Sequence, residues 1–123
     1  MSPVVERFSG TDVLVYPAGG PILLGAESDA NDLIGDTWGH ETQYVAVPVE
    51  RIGADFFRLR TRLAGEIVQK FVNYRIALIV VGDITDHVES SDAFARFVDE
   101  CNRGRQTWFV PDTHALAQRF ASR

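Results

Sequence analysis

Apolar residues along this chain recur at intervals of two in some stretches and of three to four in others, and each switch marks an element. Val4, Glu6 and Phe8 alternate in a short strand, Ser9-Gly10-Thr11-Asp12 carries turn chemistry, and Asp12 to Tyr16 reads as a second strand. Together they predict an antiparallel hairpin. Pro17-Ala18-Gly19-Gly20-Pro21 interrupts the pattern. Ser28 or Asp29 is placed to cap a helix to about Trp38, with Ala30, Leu33, Ile34 and Trp38 on one face and Gly39 as a stop. Tyr44 to Val49 reads as a third strand, with Val45, Val47 and Val49 facing one way.

A helical region begins near Ala54 and is strongest from Thr61 to Tyr74. Leu63, Ile67, Phe71 and Tyr74 share a face there, with Ala64, Val68 and Val72 beside them. Glu66, Gln69, Lys70 and Asn73 form the opposite, polar face, and Glu66 with Lys70 makes an (i, i+4) pair in the favourable orientation. Arg75 to Gly82 is the central strand, apolar without a break from Ile76 to Val81, as befits a strand covered on both faces. Ser90 or Ser91 caps the next helix, which turns Phe94, Phe97, Val98 and Cys101 inward and stops at Gly104. Thr107 to Val110 is a fifth strand, and Asp112 caps a last helix carrying Ala115, Leu116 and Phe120. The order β-β-α-β-α-β-α-β-α predicts one α/β domain over residues 1–123, built on a mixed, mostly parallel five-stranded sheet.

Composition narrows the function classes. The chain has 123 residues, 46% of them hydrophobic, enough for one core. A net charge of −5 argues against a duplex nucleic-acid partner and gives no reason to expect a membrane surface. The lone Cys101 forms no internal disulfide. The first residues lack a basic and then apolar leader pattern, and the apolar run 76–82 is too short to cross a bilayer, so the cytoplasm is the expected location.

The run Ala64-Gly65-Glu66-Ile67-Val68-Gln69-Lys70-Phe71-Val72-Asn73-Tyr74 resembles a bacterial family, Domain of Unknown Function 4180. The likeness continues through Val81-Gly82-Asp83, Phe97-Val98-Asp99-Glu100-Cys101-Asn102-Arg103-Gly104 and Phe109-Val110. It covers essentially the whole chain and implies no activity. The order of elements also looks like that of STAS domains, of the anti-sigma-factor-antagonist type. That likeness implies action by binding a partner protein, and in many members a switch by phosphorylation of a Ser or Thr where the helix after the third strand begins. Thr61 stands at that position, flanked by Arg60 and Arg62 and without the usual Asp-Ser-Ser/Thr-Gly run.

Candidate chemistry is sparse. Thr61 is either a helix cap or a phospho-acceptor. The polar face Glu66, Gln69, Lys70 and Asn73 is either a solvated helix face or an interaction surface. Asp83 leaves the central strand where open α/β sheets hold ligands, and with Asn102 and Arg103 it forms a candidate ligand pocket. Asp83, Asp86, His87 and Glu89 crowd one segment, but their spacing matches no metal motif. Arg58, Arg60 and Arg62 form a basic patch, and Arg103 with Arg105 another; either is suited to an anion. His40, His87 and His114 are scattered, Cys101 occupies an apolar helical position, and Gly19-Gly20 lacks the lysine of a phosphate loop. No catalytic residue is assigned, and no motif calls for a cofactor or metal. The expectation is a non-enzymatic regulatory module acting on a protein partner through the 61–74 helix and the adjacent strand ends; a homodimer that uses this helix face as its own interface is a separate, third possibility that weakens the other readings. The alternative is a small-molecule sensor or enzyme using Glu66, Asp83 and Asn102.

Overall fold

The computed structural model describes residues 2–122. Strands β1 (Val4–Phe8) and β2 (Thr11–Val15) form the expected hairpin. Its two-residue turn sets both Ser9 (φ 49°) and Gly10 (φ 85°) at positive φ, the combination that matches strand twist in tight hairpins. Arg7 and Asp12 face each other across the ladder and pair at 2.8 Å. Strands β3 (Tyr44–Pro48), β4 (Ala77–Val81) and β5 (Thr107–Val110) then add in parallel, so the five-stranded mixed sheet has the spatial order β1-β2-β3-β4-β5.

Each parallel connection steps to the next strand in the same direction. Right-handed crossovers therefore stack their helices on one face of the sheet. Helices α1 (Asp29–Gly39), α2 (Leu63–Asn73) and α4 (Asp92–Arg103) do so, burying Leu33, Ile67, Phe71 and Phe94 against Leu14, Val45, Leu78, Val80 and Phe109. On the opposite face, Val13, Ala46, Ile79, Trp108 and Val110 meet Leu116 and Phe120 of α5 (Thr113–Ala121). The alternation of Ile79 with Leu78 and Val80 explains why β4 is apolar without a break.

Several expectations change in detail. Helix α2 starts at Leu63, because residues 54–61 fold instead as two short 3₁₀ turns, Ala54–Phe57 and Leu59–Thr61. The segment after Gly82 that carries Asp83, Asp86, His87 and Glu89, to which the sequence pattern assigns no element, contains a further helix, α3 (Thr85–Ser90). Val49 leaves β3 to begin a 3₁₀ turn through Arg51. Trp38 and Tyr74, assigned inward by spacing, are 56% and 47% exposed; they stand at the C-terminal ends of α1 and α2, where they pack edge-on against each other at 5.4 Å. Among the described residues, no helix is long and apolar enough to cross a membrane.

Candidate functional site

Because α2 buries Leu63, Ala64, Ile67 and Phe71, the helical repeat turns Glu66, Gln69, Lys70 and Asn73 outward. All four line one open groove of about 590 Å³. Arg62 and Gly65 extend its α2 wall, Phe97 of α4 and Leu59 supply apolar surface, and Glu27 closes the α1 side. Gln69 donates to Asn73 Oδ1 at 2.8 Å, which fixes two of the polar groups along the rim. The charges alternate along one helical row as Arg62, Glu66 and Lys70. Gly65 is the unusual member. A Cβ built there would meet nothing within 4 Å, so no steric contact among the described residues requires a glycine.

Thr61 lies just before this groove, and its hydroxyl is engaged. Oγ1 is 2.7 Å from the Asp55 carbonyl and 2.8 Å from that of Arg58, to which it donates, and it accepts from Leu63 N–H at 3.3 Å. It thus ties the 3₁₀ turns to the first residue of α2, while Arg62 supplies the left-handed link (φ 66°).

The structure does not bring Asp83, Asn102 and Arg103 together. Asp83 leaves the C-terminal end of β4 and binds Thr85, the first residue of α3, through its N–H at 2.9 Å and its hydroxyl at 2.5 Å. The hydroxyl first, and then the N–H, hold the Asp83 carboxyl below its ordinary range. Asn102 and Arg103 end α4 toward the opposite, N-terminal end of the strands, ahead of Thr107, which pairs with Leu78 early in β4. Asn102 Oδ1 accepts from Phe109 N–H at 2.7 Å, satisfying an outward-facing donor of edge strand β5. Arg103 is exposed in the last turn of α4. The hollow that Glu66 lines and the one beside Gly82 contain neither Asp83 nor Asn102.

The hollow beside Gly82, about 300 Å³, lies at the C-terminal ends of β2 to β5. Tyr16, Pro48, Val81, Pro111 and Thr113 enclose much of it. Next to it Arg51, 5% exposed, donates from Nε to the Pro21 carbonyl at 2.9 Å and from Nη1 to that of Pro17 at 3.1 Å. This clips down the Gly19-Gly20 segment, which sequence reading had compared with a phosphate loop. Among the described residues, no three His, Cys, Asp or Glu side chains gather as a metal set would require. Cys101 is half-buried against the core, and burial, assisted by the Glu100 charge, pushes its thiol up to about 11. A thiol so protonated is a poor nucleophile at neutral pH.

The arginines of the 3₁₀ segment, by contrast, meet residues that sequence reading placed elsewhere. The ring of His87 on α3 stacks on Phe57 at 3.9 Å, 6° from parallel. Arg58, Arg60, His87, Ser90 and Ser91 then share the lining of one hollow. Thirty residues separate the two halves, and no local signal announces the stack.

These features define a single α/β domain whose three-helix layer carries an open, mixed-charge groove. The chain belongs to the DUF4180 family, a domain of unknown function, whose model matches residues 8–120. No curated protein and no solved structure matches it.

Proposed function

We propose that the protein is a non-enzymatic interaction module that docks a partner protein in the α2 groove. The observation that carries this reading is Gly65. Gly65 is the third residue of α2, where glycine costs a fraction of the roughly 1 kcal/mol it costs in a helix interior relative to alanine, and among the described residues no contact at Gly65 compensates for it. Its benefit is room for close approach by another backbone or side chain, in the same groove that Glu66, Gln69, Lys70 and Asn73 line. Gly35 of α1 is equally open but lines no such groove, which makes it the natural control. The partner segment that fits is amphipathic, apolar toward Leu59 and Phe97 and charged toward Arg62, Glu66 and Lys70. The likeness in element order to STAS domains supports a partner-binding role by analogy alone.

The test is a photoreactive amino acid at position 69, introduced in the native host. One discrete adduct is expected, absent when the probe sits at position 35 and lost in Gly65→Leu. An adduct of two chains identifies the partner as a second copy. If the position-69 probe captures nothing beyond the position-35 control, the reading fails. The hollow of about 300 Å³ beside Gly82, at the strand ends where α/β sheets hold small ligands, then becomes the better candidate.

A further inference from the structure

The 3₁₀ segment and the α3–α4 junction enclose a hollow of about 570 Å³ on the far side of Leu59 from the docking groove. Its polar lining consists of Arg58, Arg60, His87, Ser90 and Ser91. Among the described residues no carboxylate lines it, although Asp86, Glu89 and Asp92 stand on the same two helices and the chain carries a net charge of −5. Arg60 makes no ion pair among the described residues, and Arg58 reaches only Asp55, at 3.6 Å with both side chains about 60% exposed. Such a contact is too loose to occupy a guanidinium.

The remaining donors are held in place yet unoccupied. Parallel stacking on buried Phe57 fixes the plane of His87, and among the described residues its ring nitrogens have no partner within the chain. The Ser91 hydroxyl accepts from Phe94 N–H at 3.1 Å, so its own proton is left to donate outward. Ser91 caps α4, a helix of twelve residues, whose first-turn N–H groups at Asp92 and Ala93 have no carbonyl acceptor among the described residues.

We infer that this hollow is a binding site for a small phosphate monoester. The guanidinium groups of Arg58 and Arg60 supply charge and forked donors that match a tetrahedral oxyanion. The Ser91 hydroxyl adds a donor, the His87 ring adds an N–H in a plane fixed by stacking, from whichever nitrogen carries the proton, and the start of α4 adds the positive end of its dipole. The volume exceeds what a bare phosphate fills and falls in the range of small-ligand pockets, while Ala54, Leu59 and Ala93 offer apolar wall for the organic remainder.

The experiment is an amide NMR titration of the whole chain with inorganic phosphate and with phenyl phosphate, each against potassium chloride at matched ionic strength. Saturable shifts are expected at residues 58–60 and 91–93, with phenyl phosphate binding tighter than phosphate. Arg60→Gln and Arg58→Gln, both at exposed positions, are each expected to weaken binding about tenfold, the loss of one charge-assisted contact. Gln69→Ala is expected to leave it unchanged, which separates this site from the docking groove. A response that chloride reproduces, that Arg60→Gln leaves intact, or in which phenyl phosphate binds no tighter than phosphate overturns the assignment.

Discussion

A Cβ on Gly82 would meet the Val49 side chain at 2.8 Å, and its φ of +143° is one that L side chains rarely adopt. Gly65 has neither constraint. The same substitution should therefore act with opposite sign at the two sites. Gly82→Ala is expected to lose about 2 kcal/mol from strain and overlap. Gly65→Ala, in the first turn of α2, is expected to gain up to about 0.5 kcal/mol from helix propensity. Urea midpoints at unchanged slope measure both, and a loss at Gly65 would show that the glycine serves the fold. Sequence alone counts Gly82 as the last residue of the central strand, whereas β4 ends at Val81 and Gly82 makes the positive-φ exit from it. Tyr16 was not legible, because its partner is twenty residues away. Its hydroxyl donates to Asp36 at 2.5 Å, and burial first, then that bond and the Asp36 charge, raise its pKa well above the ordinary 10.0 against the opposing charge of Arg51. The folded state thus keeps a proton that the unfolded chain releases. This contribution is complete below pH 10.0 and is lost as pH rises beyond it. Stability should fall more steeply above that pH in the native chain than in Tyr16→Phe, and equal slopes would remove the linkage.

At the scale of elements, legibility followed whether the signal was local. Asp112 and Ser91 were read as helix caps, and their side chains accept from Ala115 N–H at 2.8 Å and Phe94 N–H at 3.1 Å. Ser28 begins α1 without such a bond; Asp29 instead accepts from Gly25 and Ala26 N–H. Helix α3 was missed because its six residues, Thr-Asp-His-Val-Glu-Ser, hold a single apolar side chain and show no period. The 3₁₀ turns were missed for the related reason that three or four residues are too few to set one. Asn102 belongs to the same class: its side chain was read as a pocket group but closes the edge of β5. Asn102→Ala should leave the Phe109 N–H unpaired and cost about 1–3 kcal/mol, whereas Asn102→Asp, which keeps an acceptor, should retain most of that stability. Chemical denaturation of the two variants decides it, and equal losses would assign Asn102 a role other than accepting that bond.

For the whole molecule, the order of elements was enough to predict the mixed sheet, because sequential right-handed crossovers leave few other arrangements. The sites were not predictable in this way. The groove and the hollow beside it are each built from elements distant in sequence, and Leu59 lines both. The same topology leaves a structural asymmetry. Three helices cover one face of the sheet, while α5 carries the buried helical side chains of the other, Leu116 and Phe120. Phe120 packs at 5.4 Å from Trp108 and 5.1 Å from Tyr44, and it reaches Phe8 of β1 at 6.4 Å. The Ser9 hydroxyl adds a link to the Ala117 carbonyl at 3.4 Å. Helix α5 and the β1 edge should therefore open as one unit, ahead of β3 and β4, which are paired on both sides and covered on both faces. Native-state hydrogen exchange in low denaturant should resolve the two free energies. Phe120→Ala, expected to cost about 3–5 kcal/mol, should lower protection in β1 as well as in α5. If β1 and β3 exchange at one common free energy in both proteins, the two faces are a single cooperative unit and the asymmetry of cover has no energetic consequence.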